Sequence, residues 1–147
     1  MDGTLSRTNY LPYVALIIAL VATLGSLSFS ELLHLPPCVL CWYQRILMYP
    51  LVVILVVSIL RRDRASAAYV LPLSLLGVVV AMYHNLLYYH ILPESISPCQ
   101  VGISCTTRQI EWLGFITIPL LSLIAFSAIT ICMFAYYSSL KTYEPRS

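Results

Sequence analysis

Four apolar blocks limit what this chain can fold into more than any other feature of its sequence. The blocks span residues 11–30, 43–60, 69–89 and 112–137. None of them contains Asp, Glu or Lys, and Arg45 and His84 are their only basic residues. A helix needs about 20 residues to cross the apolar core of a bilayer, and backbone groups in lipid must be hydrogen-bonded internally. The sequence therefore predicts four transmembrane helices near these positions.

Composition places the chain among integral membrane proteins. Hydrophobic residues make up 60% of its 147 residues and charged residues only 10%, whereas soluble domains have about 45–50% and about 25%. The length suits one domain, so we predict a single integral membrane domain over residues 1–147, an all-α bundle of four transmembrane helices in contact with membrane lipid. The first block lacks an obvious A-x-A cleavage site, and we expect it to be retained. A net charge of +2 without a run of Lys and Arg argues against nucleic acid as a partner.

The distribution of Lys and Arg predicts how the helices are oriented. One set of helix flanks carries Arg7, Arg61, Arg62, Arg64, Lys141 and Arg146, and the opposite flanks carry only Arg45 and Arg108. Because Lys and Arg accumulate on the cytoplasmic side, we predict a multi-pass protein of the cytoplasmic membrane with both termini cytoplasmic. Segments 31–42 and 90–111 then form two outward-facing, extracytoplasmic loops.

Four of the five cysteines fall in these two loops. They are Cys38 and Cys41 in the first loop and Cys99 and Cys105 in the second. Disulfides persist on the oxidising side of a cell membrane, so the charges and the cysteines point independently to the same orientation. Cys132 lies in the fourth block, where we expect an apolar packing residue.

Cys38 and Cys41 form a Cys-x-x-Cys pair that follows two prolines. The prolines end the preceding structure and allow a helix to begin, and the positive N-terminus of that helix stabilises a thiolate. Arg45 follows Cys41 by four residues, so both face one side of the helix and the cation favours the thiolate further. A disulfide between Cys38 and Cys41 would close almost no loop and add little stability. The pair therefore reads as a redox pair more than as a structural cross-link.

Cys99 and Cys105 are separated by five residues, which is enough to close a small disulfide ring. Pro98 and Gly102 indicate an irregular loop, in which such a ring would be open to attack by another protein's thiol. Two pairs on one face could pass electrons by thiol–disulfide exchange. Two other interpretations stay open, namely purely structural disulfides and a zinc site built from both pairs.

Arg45 and His84 lie at similar shallow depths in their predicted helices. His84 precedes Tyr89 by five residues, which puts it roughly 7–8 Å below the outer helix end. Both residues could therefore line one outer pocket, and His90 could cover it. Pro50 and Pro119 lie inside the second and fourth blocks, and helix kinks at these prolines could widen the pocket. Alternatively, Arg45 extends to the interface and His84 makes a helix-packing hydrogen bond.

The run Cys-Val-Leu-Cys-Trp-Tyr-Gln-Arg over 38–45 resembles the start of the second transmembrane helix in the DsbB family of disulfide bond formation proteins. The run Trp-Leu-Gly-Phe-Ile-Thr-Ile-Pro over 112–119 is similar to the family as well. The short second loop looks most like the BdbC branch of that family. The resemblance covers nearly the whole chain.

The resemblance implies a four-helix bundle and a quinone-linked thiol oxidoreductase that uses menaquinone or ubiquinone. It also implies a partner, a thioredoxin-fold dithiol oxidase of the DsbA or BdbD type that places disulfides into exported proteins. Cys99 and Cys105 match the pair that reoxidises the partner, with Cys99 forming the mixed disulfide. Cys38 and Cys41 match the pair that passes electrons to quinone, with Cys41 nearest the ring. Arg45 and His84 match residues at the quinone, and no residue is assigned to a metal.

Two other classes of protein compete with this interpretation. A membrane scaffold or transporter subunit cross-linked by disulfides or zinc would need no quinone. However, the helices carry no deep charges of the kind that line an ion path. A fold related to vitamin K epoxide reductase would also use quinone chemistry, but the spacing around Cys38 and Arg45 fits it less well.

Overall fold

A computed structural model of the protein describes residues 10–32, 34, 37–93, 111–112 and 116–143. This part of the chain forms four long helices, α1 Leu11–Glu31, α2 Val39–Arg61, α3 Ser66–Tyr88 and α4 Ile118–Tyr143. Two strands of two residues each, β1 Glu111–Trp112 and β2 Ile116–Thr117, pair antiparallel just before α4. All four helices are long and apolar enough to cross a membrane. The protein is therefore an all-α, multi-pass membrane protein, as its apolar blocks predict.

The helices leave large apolar side chains on the outside of the bundle. Ile17 of α1, Val53 of α2, Val79 of α3 and Ile131 of α4 are each more than half exposed. In water such a surface would drive association, whereas lipid covers it without cost. The outside of the bundle is thus apolar, as the composition predicts for a membrane protein.

The centre of the bundle is closely packed between α3 and α4. A Cβ atom added at Gly77 would overlap ring carbons of Phe126, and Phe126 is fully buried. Thr130 of α4 donates a hydrogen bond to the Ser74 hydroxyl of α3 over 3.0 Å. Small residues and hydroxyl pairs of this kind are how helices associate in lipid, and they fix α3 against α4.

The two ends of the bundle differ in character. The start of α2 and the end of α3 meet at one end, which carries Cys38, Cys41 and His84 and is called the cysteine end below. The turn between α2 and α3 lies at the opposite end, called the basic end, and exposes Arg61, Arg62 and Arg64. The predicted separation of Cys38 and Cys41 from the arginine cluster is present in the fold.

Two predicted helix starts need correction. The second helix begins at Val39 rather than at residue 43, where its apolar block starts. The Cys38 side chain accepts a hydrogen bond from the Cys41 backbone N–H and caps the helix, which confirms the helix N-terminus that the prolines predict at the Cys-x-x-Cys pair. The fourth begins at Ile118 rather than at residue 112, because residues 111–112 pair with 116–117 as strands. The third helix likewise extends to residue 66 and the fourth to residue 143. Apolar blocks mark the length that lies in lipid, whereas helices continue into polar flanks.

The later start of α4 also changes the role expected of Pro119. Pro119 is the second residue of α4, where a missing N–H costs nothing and the fixed φ suits a helix. It does not interrupt a helix, so the kink predicted there was wrong. Pro50 does lie inside α2, which nevertheless runs as one helix from Val39 to Arg61.

Candidate redox site

The sulfur atoms of Cys38 and Cys41 lie 2.8 Å apart at the start of α2. This separation exceeds the length of a disulfide bond by only about 0.8 Å. Cys38 is 7% exposed, and Cys41 is partly exposed. The pair can therefore close into a disulfide or open again with a small movement of its side chains.

His84 approaches this pair from α3. Its Nε2 lies 3.7 Å from the Cys38 sulfur, and its other ring nitrogen, Nδ1, lies 3.1 Å from the side-chain nitrogen of Gln44. His84 is 2% exposed and Gln44 is 6% exposed. Three buried side chains thus form a continuous polar chain from Gln44 to Cys38.

Sequence reasoning missed Gln44. A signal for it was available, because Gln44 is an uncharged polar residue in an apolar block and lies one helical turn after Cys41. Polar side chains at membrane depth face the protein interior and pair with one another. The sequence alone does not show that its partner is His84.

Arg45 faces α1 instead of α3. Its Nε donates to the Ser26 hydroxyl over 2.8 Å and its Nη2 to the Ser26 carbonyl over 2.7 Å. Nη2 also donates to the Ser30 hydroxyl, and the Trp42 ring centre lies 5.7 Å from the guanidinium carbon. Arg45 is 9% exposed, and among the described residues no carboxylate pairs with it. The guanidinium therefore keeps a positive charge that hydroxyl and carbonyl oxygens only partly compensate.

A cavity of about 450 Å³ opens beside Arg45 at the cysteine end. Its lining residues are Leu27, Ser30, Glu31, His34, Pro37, Trp42, Arg45 and Tyr49. His84 is not among the residues that line this cavity, and it meets Cys38 and Gln44 on the α3 side instead. Neighbouring helical residues point about 100° apart, which turns Gln44 toward α3 and Arg45 toward α1. His90 is exposed beyond the end of α3.

The surroundings of Cys38 favour its ionised form. Hydrogen bonding from the Cys41 thiol, and then from His84, lowers the pKa of Cys38 to about 4, although burial opposes this shift. The thiolate is the reactive form of cysteine. Cys132 is partly buried against the apolar core, far along α4, and contacts none of these groups.

Cys38, Cys41 and His84 also form a group that could hold a metal ion, since their ligand atoms lie within 4.8 Å of one another. Two thiolates on a tetrahedral zinc ion stand about 3.8 Å apart, given Zn–S bonds of about 2.3 Å. The Cys38 and Cys41 sulfurs are 2.8 Å apart, so they would have to separate to bind zinc. The observed distance between the sulfurs suits formation of a disulfide better than binding of zinc.

The second cysteine pair lies outside the described residues. Cys99 and Cys105 fall within residues 94–110, and Arg7, Arg108 and Arg146 are outside the described ranges as well. The strands β1 and β2 follow that segment directly and lead into α4. The structure thus describes Cys38 and Cys41, called the inner pair below, whereas Cys99 and Cys105, called the outer pair, stay a prediction.

Known proteins resemble this chain over most of its length. The family model "Disulfide bond formation protein DsbB" matches residues 8–136. Disulfide bond formation protein C of Bacillus subtilis (strain 168) is 47% identical over 121 residues, which is 82% of this chain and 88% of that protein. Probable disulfide formation protein C 1 of Bacillus anthracis is 39% identical over 132 residues, 90% of this chain and 95% of that protein. No solved structure gives a significant match.

Proposed function

Since this chain belongs to the DsbB family of disulfide bond formation proteins, which are membrane thiol–disulfide oxidoreductases, we propose that it reoxidises an extracytoplasmic dithiol oxidase of the thioredoxin fold. Its electrons pass to membrane quinone, and the net result is disulfide formation in exported proteins. The observation that carries the proposal is the buried Cys38 sulfur, 2.8 Å from Cys41 and beside the His84 imidazole. That arrangement suits a pair that cycles between dithiol and disulfide.

Electrons reach the inner pair in two exchanges. The reduced partner's thiolate attacks the Cys99–Cys105 disulfide at Cys99, and the partner's second thiol completes its own disulfide. The outer pair, now reduced, then opens the Cys38–Cys41 disulfide in the same way. Each exchange breaks one S–S bond, forms one, and moves two electrons, so its direction follows the difference in reduction potential.

The residues around Arg45 fit a quinone head group. The cavity of about 450 Å³ has Leu27, Trp42 and Tyr49 as apolar or aromatic walls and the guanidinium of Arg45 as a donor, and ligand sites combine these two features. A bound quinone supplies a two-electron acceptor that dissolves in lipid. Arg45 would hold a carbonyl oxygen of such a ligand and would favour negative charge there. Cys41, one turn before Arg45, is the sulfur that delivers electrons to the quinone. His84 approaches the cysteine pair from the α3 side.

The same reasoning gives the placement in the cell. The whole chain forms one integral domain of the cytoplasmic membrane, with both termini cytoplasmic. The exposed arginines of the basic end support this orientation, because short loops rich in Arg stay on the cytoplasmic side. The cysteine end then faces the extracytoplasmic space, where the partner oxidase acts.

The test is the loss of quinone absorbance in a mixture of purified protein, a soluble quinone and a reduced thioredoxin-fold dithiol oxidase. We expect Cys41→Ser to abolish quinone loss and Cys132→Ser, which changes a cysteine away from the site, to leave it intact. Turnover by Cys41→Ser at the parent rate would contradict the proposal. Tightly bound zinc in a parent protein that reduces no quinone with any partner would favour a structural metal protein instead.

A further inference from the structure

Gln44 is a buried polar residue for which the reaction described above has no use. Its side-chain nitrogen lies 3.1 Å from Nδ1 of His84, and the opposite ring nitrogen lies 3.7 Å from the Cys38 sulfur. Burying an amide in apolar surroundings is costly unless it is hydrogen-bonded. The contact with His84 provides that bond, and it also connects Gln44 to the redox sulfur through one ring.

The hydrogen bond at one nitrogen of a histidine decides which proton the other nitrogen carries. The Gln44 N–H donates to Nδ1, so the proton of neutral His84 resides on Nε2. This nitrogen faces the Cys38 sulfur, and its N–H donates to a thiolate there. An amide offers both a donor and an acceptor, so Gln44 can also present its oxygen to an Nδ1–H when Nε2 has to accept a proton.

The stretch of α3 that carries His84 is itself fixed. The neighbouring residue Asn85 donates from Nδ2 to the Ala81 carbonyl of α3 over 2.7 Å and to the Pro119 carbonyl of α4 over 2.8 Å. Asn85 is buried. The position of the imidazole thus depends on α2 through Gln44 and on α4 through Asn85.

We propose that His84 is the group that exchanges a proton with Cys38, and that Gln44 is a positioning residue that holds the ring for this exchange. The proposal rests on the proposed function, in which Cys38 and Cys41 are the inner redox pair. It gives His84 a role in the sulfur chemistry in addition to any contact with quinone. Gln44 acts only through His84.

The proton balance of the step follows from the dithiol. When Cys38 and Cys41 close, one S–S bond forms, and two electrons and two protons leave the two thiols for the quinone acceptor of the proposed function. The Cys38 proton leaves its sulfur first, to Nε2 of a His84 ring whose own proton is on Nδ1 and bonded to the Gln44 oxygen, and this makes Cys38 the thiolate of the pair. His84 then releases the Nδ1 proton, so that the ring returns to the neutral form with its proton on Nε2.

Few other titratable groups face Cys38 in the described part of the chain. Cys41 of α2 and His84 of α3 are the ones that act on it. Glu31 and His34, from the α1 side, line the cavity beside Arg45. A change in Cys38 ionisation on altering His84 therefore reports on the contact between these two residues.

The experiment uses the full chain in lipid nanodiscs, with Cys41, Cys99, Cys105 and Cys132 changed to Ala so that Cys38 is the only thiol. Removing Cys41 takes away the largest influence on Cys38 and isolates that of His84. The measurement is the pH dependence of Cys38 alkylation by a small reagent. We expect His84→Phe to raise the midpoint by about one pH unit, a tenfold loss of thiolate at a fixed pH below it.

Gln44→Met, which keeps the length of the side chain, should raise the midpoint in the same direction. The double variant should match His84→Phe alone, because a residue that acts through another adds nothing once that residue is gone. Thr130→Val, which removes a hydrogen bond between helices away from the cysteines, serves as the control and should leave the midpoint unchanged. An unchanged midpoint in Gln44→Met, or additive shifts in the double variant, would overturn the proposal.

Nitrogen NMR of ¹⁵N-histidine-labelled protein gives a second readout that does not depend on alkylation. The parent should show a protonated Nε2 and an unprotonated Nδ1 for His84, and Gln44→Met should mix the two tautomers. An identical spectrum in both proteins would contradict the role of Gln44. Neither measurement needs quinone or partner, so a failure of the proposed function would appear separately, as absent quinone reduction in the parent.

Discussion

The cysteine end and the middle of the bundle differ in the polar groups that they bury. In the middle, Leu51, Leu55 and Phe126 are fully buried, and the polar contact between helices is made by hydroxyls, because Ser74 accepts from Thr130 of α4 and donates to a carbonyl of its own helix. At the cysteine end, the buried groups that reach across to neighbouring helices are the imidazole of His84 and the guanidinium of Arg45. Burying a charge costs more free energy than burying a hydroxyl. The comparison teaches that, in the described part of the chain, the buried side chains that can carry a positive charge lie beside the cysteines.

The largest effect should come from Cys38→Ser, which separates the chemistry of the cysteine end from its structure. Serine is a good N-cap, so its hydroxyl should accept the Cys41 N–H as the sulfur does and keep α2 in place. Thiol–disulfide exchange should be lost to background in the quinone-loss assay while the melting temperature stays close to that of the parent. Cys38→Ala, which also loses the cap, should be less stable by about 1 kcal/mol. Equal melting temperatures for both variants would show that the cap does not matter.

A smaller loss is expected when the guanidinium at the cysteine end is removed. Arg45→Met keeps the apolar length of the side chain but removes its charge and its donors. Quinone reduction should fall about 100-fold, the usual cost of losing one charge-stabilising donor, and the change should appear in kcat/KM for quinone. Arg64→Met at the basic end is the matched control and should retain full activity. Similar losses in both variants would mean that overall charge, not the site, is responsible.

The acidity of Cys38 should give the next effect. Because the Cys41 thiol and His84 lower the pKa of Cys38 to about 4, the thiolate is stabilised in the folded, reduced protein. That contribution is present above the unfolded pKa and is lost as the pH falls through the folded value. We expect the alkylation rate of Cys38 in reduced protein to be constant near neutral pH and to fall about tenfold per pH unit below its pKa. A rate that still rises through about pH 8.5, as for a free thiol, would contradict this.

In the middle of the bundle, Gly77→Ala should affect stability rather than chemistry. The added Cβ would overlap the Phe126 ring, and such overpacking costs about 1–3 kcal/mol. The midpoint of unfolding in denaturing detergent should fall, while turnover of the folded protein stays at the parent level. Phe126→Leu should partly restore the stability of Gly77→Ala. If Phe126→Leu does not restore the stability of Gly77→Ala, the strain does not arise from the contact with the Phe126 ring.

The smallest effect is expected at Pro119. Because this residue lies in the first turn of α4, Pro119→Ala should change the free energy of unfolding by less than about 0.5 kcal/mol. Unfolding of Pro119→Ala and of the parent protein under the same conditions would measure this difference in free energy. A larger change would mean that the strands before α4 depend on the proline.

The sequence predicted the number and approximate position of the helices because hydropathy measures the length that lies in lipid. It could not predict which way each helix faces. In a soluble bundle, apolar periodicity marks the buried side, but here both lipid and core are apolar. Nothing in the pattern therefore shows that Arg45 turns to α1 while Gln44 turns to α3. The family resemblance indicated Arg45 and His84 as site residues but not Gln44.

The cap at the start of α2 and the pairing before α4 could not be predicted from hydropathy, although the prolines before Cys38 did indicate a helix N-terminus there. The cap at Cys38 depends on a side-chain hydrogen bond, and β1 and β2 depend on backbone pairing of two residues each. Neither leaves a trace in hydropathy. The Cys-x-x-Cys spacing, by contrast, is a local property, because positions one turn apart at a helix start bring their sulfurs together in any fold.

The hydrogen bonds from Arg45 to Ser26 and Ser30 have a consequence for how the protein is made. Synthesis delivers α1 to the membrane before α2, and α2 brings a guanidinium that is costly to insert alone. The oxygens of α1 that bind it are already in place when α2 arrives. The two helices are thus suited to enter the bilayer as a hairpin, in which oxygen atoms of the first helix solvate the charge of the second.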